Sequence, residues 1–177
     1  QGENLLDRFK PDGRFGAVES YYRTADAVEA GVRFQRIIFE WRWFQPNGPD
    51  DWDTSHIPDK WLEEARQNDI EIIGLVKNAP NWATGSNLLG AVPLGVTLPV
   101  YNPSNLWAAF IKKLVRYYSE KWDIHHWIIY NEPDIRPEDT QFFEYAGDVN
   151  DYYKTVKVAY KAAHAANPRA VIHLAGL

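Results

Sequence analysis

The chain has 177 residues and a formal net charge of -5, and 45% of its residues are hydrophobic. A chain of this length can bury one core, and an acidic chain without a cluster of lysines and arginines is a poor partner for nucleic acid or an anionic membrane. Because there is no cysteine, disulfides and cysteine-ligated metal sites are excluded, and no apolar run reaches the roughly 20 residues of a membrane-spanning helix. We therefore expect a single domain over residues 1–177.

The first half of the chain alternates short apolar runs with helical patterns. Phe15 to Val18 is a weak first strand, and Thr24 offers an N-cap to a short helix that ends near Gly31. The second strand, Phe34 to Trp41, is rich in β-branched and aromatic residues. Pro58 suits the first turn of a second helix, where its missing N–H has no intrahelical partner to lose.

The same alternation continues through the second half. Glu71 to Val76 predicts a third strand, and a third helix is predicted to begin at Pro103 after a cap at Asn102. Trp127 to Tyr130 predicts a fourth strand, and Val171 to Leu174 begins a fifth. The fourth helix is predicted to bury a face that carries Tyr153, Val156, Tyr160 and Ala163.

Strands that alternate with helices predict an α/β fold with parallel pairing through right-handed crossovers. Two architectures fit this pattern, an open doubly wound sheet and a closed (β/α)8 barrel. The open sheet usually carries a glycine-rich phosphate loop after its first strand, and the sequence contains neither that loop nor a P-loop. We therefore expect part of a TIM barrel, strands one to five with helices one to four. The long segment from Thr84 to Asn102 then lies at the carboxyl-end face, where barrel active sites are built.

Glu132 stands just past the fourth strand, in the tripeptide Asn131-Glu132-Pro133. Hydrolysis of a glycosidic bond usually needs two carboxyl groups, one of which gives its proton to the leaving oxygen. A glutamate at the carboxyl end of a barrel strand suits this role if the barrel's lip is partly desolvated. Taken alone, the tripeptide is equally consistent with a simple strand-to-loop turn.

Several segments together resemble a known family. Trp127 to Pro133, Trp-Ile-Ile-Tyr-Asn-Glu-Pro, is similar to the fourth-strand signature of the retaining glycoside hydrolases of clan A, which include cellulases, mannanases and β-xylosidases. Residues 31–46 and 70–83 resemble the clan's second and third strands with their following turns, and residues 114–127 are most like β-xylosidase-type members of family 39. The ordered set covers roughly residues 14 to 177. It implies the N-terminal half of a (β/α)8 glycosidase barrel.

The resemblance also implies roles for individual residues. Glu132 corresponds to the catalytic acid/base, Asn131 to the residue that contacts the sugar's 2-hydroxyl, and Arg36 to the clan's strand-two arginine. Arg36 alternates in phase with Ile38 and Glu40, so the three share one face of the strand. On the barrel interior Arg36 can pair with carboxylates of the site, and a structural ion pair is the less favoured alternative. For Glu40 we favour a structural pair with a neighbouring arginine.

Three further residues are candidates for substrate binding. Trp41 and Trp82, at two strand ends, can form platforms for sugar rings, against an equal expectation that they only pack in the core. Lys77 stands where relatives often carry an acidic or aromatic residue, and it can favour an acidic sugar. The five histidines show no helical metal-ligand spacing, so neither a metal nor a cofactor is expected.

The resemblance places the second carboxylate at the end of strand seven, and we assign no residue of this chain to it. A whole barrel needs about 250 residues, so we expect about half of one. Either a second chain or a second copy supplies the remaining strands, or the chain is a truncated fragment, and in each case the chain alone should show little turnover. Two functions stay open: part of a retaining glycosidase, and a non-catalytic carbohydrate-binding or assembly module. Analogy with polysaccharide-degrading enzymes alone favours a secreted or extracellular setting.

Overall fold

A computed structural model describes residues 13–176, and the predicted domain of residues 1–177 extends past this range at both ends. The strands are β1 (Gly16–Val18), β2 (Phe34–Glu40), β3 (Glu71–Lys77), β4 (His126–Ile129) and β5 (Val171–His173). The helices are α1 (Thr24–Glu29), α2 (Trp41–Phe44), α3 (Asp59–Gln67), α4 (Asn81–Thr84), α5 (Leu106–Trp122) and α6 (Val149–Ala166).

The five strands form one parallel sheet in the order β1-β2-β3-β4-β5. A doubly wound sheet would reverse its strand order at a switch point, whereas successive strands of a barrel lie side by side in chain order. The observed order therefore agrees with the predicted partial barrel. The helices α1, α3, α5 and α6 connect successive strands, and α2 and α4 are single turns at the carboxyl ends of β2 and β3.

Several predicted helix or strand ends differ from the structure, and three of the differences are informative. Thr24 is the first residue of α1, and its hydroxyl donates to Glu64 instead of capping the helix. Asn105 is the cap of α5, where its side chain accepts from the Ala108 N–H, and Asn102 only organises the turn before it. The second strand ends at Glu40, because Trp41 begins the turn of α2.

The predicted buried face of α6 is wrong for its two tyrosines. Tyr153 and Tyr160 are exposed, and the buried residues of this helix are Thr155, Val158, Ala159, Ala162 and Ala163. Small alanines let α6 pack closely against α5, and the indole N–H of Trp107 on α5 donates to the Thr155 carbonyl at 3.0 Å. The larger tyrosine rings remain at the surface.

The core lies between the sheet and the helices that cover its outer face. Phe39 of β2 packs edge-on against Tyr118 of α5 and Trp127 of β4, with ring centroids 4.8 and 5.3 Å apart. Gly74 of β3 lies beneath the indole of Trp127, where an added Cβ would approach the ring to 2.5 Å. The opposite, concave face carries Arg36, Ile38 and other half-buried side chains.

Candidate active site

The carboxyl ends of β2, β3 and β4 meet at one edge of the sheet. Glu40 is paired in register with Lys77, and Val76 is paired with Ile129. Directly after β4, Tyr130 and Glu132 both have positive φ angles, 63° and 41°. Two such residues turn the chain away from the strand direction, which ends β4 and brings the Asn131-Glu132 pair to this edge.

Asn131 links Glu132 to the second strand. Its side-chain oxygen accepts a hydrogen bond from Arg36 Nη1 at 3.2 Å, and its Nδ2 donates to Glu132 Oε2 at 3.0 Å. The structure therefore brings together the three residues that the sequence placed at one site. The Nε atom of Arg36 is buried and has no hydrogen-bond partner among the described residues.

The backbone of Glu132 is held by the segment that follows the neighbouring strand, β5. Its N–H donates to the carbonyl of Gly176, which follows β5, at 3.2 Å. Tyr152 of α6 joins the same two segments, because its hydroxyl donates to the Ile129 carbonyl at 3.0 Å and accepts the Ala175 N–H at 2.8 Å. No local pattern in the sequence identified this role for Tyr152, since it depends on how α6 packs.

The side chain of Glu132 is exposed, which corrects the expectation of a partly desolvated carboxyl. The physical reason is the sheet itself. Five strands form an arc with a half-exposed concave face, and no described element lies across that face from Glu132. Desolvation of this carboxylate requires a wall that residues 13–176 do not provide.

Lys77 reaches the same edge from β3, and its charge is paired. It is 9% exposed, and its Nζ lies 2.6 Å from Glu144 Oε2, in the segment between β4 and α6. Gly90, in the long loop after α4, lets the backbone of that loop approach the backbone of Glu144 closely. Gly90 has a φ of 78°, and a Cβ there would lie 2.5 Å from the Glu144 carbonyl oxygen. Lys77 is thus not a free cation for an acidic sugar, and no sequence pattern indicated its partner Glu144.

The structure resembles those of solved glycoside hydrolases. A family 39 glycoside hydrolase from Bacteroides cellulosilyticus matches with 18% identity and a TM-score of 0.65, over 93% of this chain and 31% of that one. The endoglucanase Cel5A from Pseudomonas stutzeri matches with 15% identity and a TM-score of 0.59, over 97% and 48%. The chain has the fold of part of a (β/α)8 barrel.

This partial barrel spans about a third to a half of the length of the structures that it matches. A glucosidase from Croceicoccus marinus, with 13% identity and a TM-score of 0.58, is covered over 32% of its length. The Pseudomonas endoglucanase has also been solved in complex with cellobiose. No family model matches the sequence, and no curated protein does.

The two tryptophans at this end of the barrel differ in accessibility. Trp41 is fully buried, stacked on Phe110 at 4.7 Å with its indole N–H bonded to Gln45, so its predicted role as a sugar platform is wrong. Trp82 lies edge-on to Trp41 at 5.8 Å and is only half-buried. Its N–H donates to the Gln45 carbonyl, which fixes the ring and leaves part of it accessible.

Glu40 is largely buried and forms an ion pair with Arg42, in agreement with the structural role that we favoured. Elsewhere on the concave face, His126 Nδ1 lies 2.9 Å from His173 Nε2, and burial together with His126 lowers the pKa of His173. Among residues 13–176 no group of three or more His, Asp or Glu side chains is arranged to hold a metal ion. No helix in this range has the length and apolar character to span a bilayer.

Proposed function

We propose that this chain is part of a retaining glycoside hydrolase that acts on a β-linked oligo- or polysaccharide. The observation that carries the proposal is the Arg36-Asn131-Glu132 chain of hydrogen bonds at the carboxyl edge of a sheet in barrel order. This edge is where barrel enzymes carry their catalytic groups. The likeness to barrel glycosidases, one of them solved with cellobiose, supports the choice of a β-linked substrate.

In this proposal Glu132 is the acid/base. It gives its proton to the glycosidic oxygen as the bond from the anomeric carbon to that oxygen breaks, while a second carboxylate bonds to the same carbon. Glu132, now ionised, takes a proton from the water that displaces this carboxylate. No residue of the chain is assigned as the nucleophile, so we expect the chain alone to show little or no turnover.

The neighbouring residues orient the sugar and the acid. Asn131 donates its other amide hydrogen to the sugar's 2-hydroxyl while its first one holds Glu132. The unpaired Nε of Arg36 can donate to a carboxylate of the site and keep that carboxylate ionised. Trp82 offers an accessible ring face for a sugar, and Lys77 holds Glu144 at the rim of the cleft.

The exposure of Glu132 favours a second candidate, a non-catalytic carbohydrate-binding or assembly half barrel. A site that excludes water strengthens the electrostatic interactions on which acid catalysis depends, and Glu132 lies open to solvent. A protein that only binds carbohydrate would need the ring of Trp82 and the side-chain amide of Asn131, but it would not need Glu132 as an acid. The two candidates therefore differ in what Glu132 does.

The first test is hydrolysis of unactivated β-glycosides by this chain together with a segment that carries strands six to eight of a related barrel. We expect activity in the completed protein and a loss of about 10²- to 10⁴-fold in kcat for E132Q, the usual contribution of a general acid. An aryl glycoside whose leaving group needs no proton should lose less, because its departure depends less on the acid.

The matched control is E138Q, since Glu138 is an exposed glutamate of the same loop that forms an ion pair with the exposed Arg136. E138Q should retain full activity. If E132Q hydrolyses the unactivated substrate as fast as the unsubstituted protein, the acid/base assignment is wrong. Binding of cello-oligosaccharides that survives in E132Q without any hydrolysis in the unsubstituted protein would favour the non-catalytic candidate.

A further inference from the structure

A groove runs along the surface of α6, and none of the residues that line it belongs to the Arg36-Asn131-Glu132 chain of hydrogen bonds. It has a volume of about 490 Å³ and lies between residues 96–101 of the long loop and one face of the helix. Its lining includes the apolar side chains of Val96, Leu98, Pro99, Val100 and Val158. The lining has no acidic residue, although the chain as a whole has a net charge of -5.

Three lysines follow one side of this groove. Lys154, Lys157 and Lys161 are spaced i, i+3 and i+7 on α6, which places them on a single face of the helix. With a rise of 1.5 Å per residue, they leave the helix about 4.5 and 6 Å apart along its axis. The three lysines do not form a cluster in the linear sequence, because they are adjacent only on the folded helix.

The charges of these lysines are only partly neutralised. Lys154 Nζ lies 3.3 Å from Asp151, whose carboxylate also completes the capping box of α6. Lys157 Nζ lies 5.4 Å from the centre of the Tyr153 ring, and Lys161 has no ion-pair partner among the described residues. The face is therefore positive within an acidic protein, which favours a negatively charged ligand.

Two aromatic rings border the same groove. Tyr101, from the loop, is 82% exposed, and Tyr153, from the helix, is 61% exposed. Exposed tyrosines beside an apolar floor suit a ligand with flat apolar faces, and the lysines suit negative charges carried at its edge. A pyranose ring with a carboxylate at C5 combines both features within each sugar unit.

We propose that this groove binds an acidic polysaccharide, one whose sugars are uronates. The ring faces stack on Tyr101 and Tyr153, and successive carboxylates pair with Lys154, Lys157 and Lys161. The choice of a glycan over other polyanions rests on the proposed glycosidase function. A nucleic acid fits less well, since its denser charge would be repelled by the remaining acidic surface.

This groove also changes the interpretation of Lys77. The sequence suggested Lys77 as the residue that favours an acidic sugar, but its ammonium is paired with Glu144. The loop after α4 connects the two places, because Gly90 contacts Glu144 near its start and residues 96–101 line the groove near its end. An acidic chain held in the groove is thereby anchored by the same loop that borders the candidate active site.

The test is equilibrium binding of polygalacturonate to the purified chain by calorimetry, at low and at high salt. We expect binding that weakens with salt, and a loss of about tenfold in affinity for K157Q/K161Q, because two exposed ion pairs are removed. The control K60Q/K121Q removes the same charge from two exposed lysines on α3 and α5 and should bind as the unsubstituted chain does.

Aromatic stacking is tested separately. Y101A should weaken binding several-fold, whereas Y22A, which truncates another exposed tyrosine, should not. Circular dichroism of each variant distinguishes a loss of binding from a loss of folding. E132Q should bind polygalacturonate normally, so a failure of the hydrolase proposal leaves this measurement unaffected.

Five outcomes would overturn the inference. They are no binding of polygalacturonate, equal binding of a neutral glucan, equal losses in K60Q/K121Q and K157Q/K161Q, loss of binding in E132Q, and tighter binding of single-stranded DNA of matched length. The last outcome would identify the groove as a nucleic-acid surface. Loss of binding in E132Q would place the polysaccharide in the candidate active site instead.

Discussion

At the scale of single residues, Tyr152 has a structural role that its neighbour Tyr153 lacks. Its hydroxyl connects the Ile129 carbonyl at the end of β4 to the Ala175 N–H after β5. Burial raises the pKa of this hydroxyl, so it stays protonated and can donate its hydrogen bond to the Ile129 carbonyl. The two segments that it joins are those that also meet at the Glu132 N–H.

We expect Y152F to lower the free energy of unfolding by about 1–3 kcal/mol, because it leaves a carbonyl and an N–H without a partner. Chemical denaturation of the purified chain measures this. Y153F is the matched control one position along the helix, since the Tyr153 side chain is exposed and its ring lies beside Lys157. Equal losses in the two variants would contradict the tethering role.

At the scale of elements, the contact between β3 and β4 depends on a missing side chain. Gly74 leaves room for the indole of Trp127, which is fully buried against Phe39 and Tyr118. A methyl group there would meet the ring at 2.5 Å and Phe39 at 3.3 Å. A ring enclosed by the core cannot move away cheaply, so the strand spacing would have to change.

The variant G74A should therefore destabilise the chain by about 1–3 kcal/mol, the usual cost of overpacking. Thermal unfolding followed by circular dichroism provides the measurement. G48A serves as the control, because nothing lies within 4 Å of a Cβ at Gly48. If G74A unfolded at the same temperature as the unsubstituted chain, the close packing of Trp127 on β3 would be refuted.

Elements with strong periodic patterns could be predicted from the sequence, and those defined by packing could not. β2 and β3 were located to within one residue, because β-branched and aromatic residues fill them. The predicted buried face of α6 is wrong for Tyr153 and Tyr160, because large aromatic side chains are a stronger sequence signal for burial than alanines. The alanines are buried because α5 and α6 pack closely together, and a single helix sequence does not reveal how close its partner helix lies.

The same distinction applies to the candidate site. Arg36, Asn131 and Glu132 could be predicted because they follow strand patterns and an ordered resemblance, and the structure places them in hydrogen-bond contact. Glu144 was missed, since it lies in an irregular loop whose path is set by Gly90 and Lys77. The burial of Trp41 was also not decided by the sequence, because a strand-end position is compatible with either face.

At the scale of the whole molecule, the described sheet is an arc in which β1 and β5 each pair with only one strand. The outer edge of β5 carries unpaired backbone groups beside the exposed side chains of Val171 and Leu174. Such edges favour pairing with another strand. A second chain or copy at this edge remains a prediction from the sequence.

We expect the purified chain to associate as its concentration rises, and V171K/L174K to reduce this association by placing charges beside the edge. Sedimentation velocity over a range of concentrations gives the measurement. L88K/L94K adds the same charges at two other exposed leucines and should leave association unchanged. A monomer at every concentration would show that the edge of β5 is protected.

The hydrogen bond from the Glu132 N–H to the Gly176 carbonyl has a consequence for how small a working piece of this barrel can be. The acid belongs to the fourth βα unit in sequence, but its backbone is oriented by residues more than forty positions later. A protein shortened to end after α6 would keep Arg36, Asn131 and Glu132. It would lose the carbonyl group that accepts the hydrogen bond from the Glu132 N–H. Under the proposed function, the segment after the fifth strand therefore helps to position Glu132, through its backbone alone.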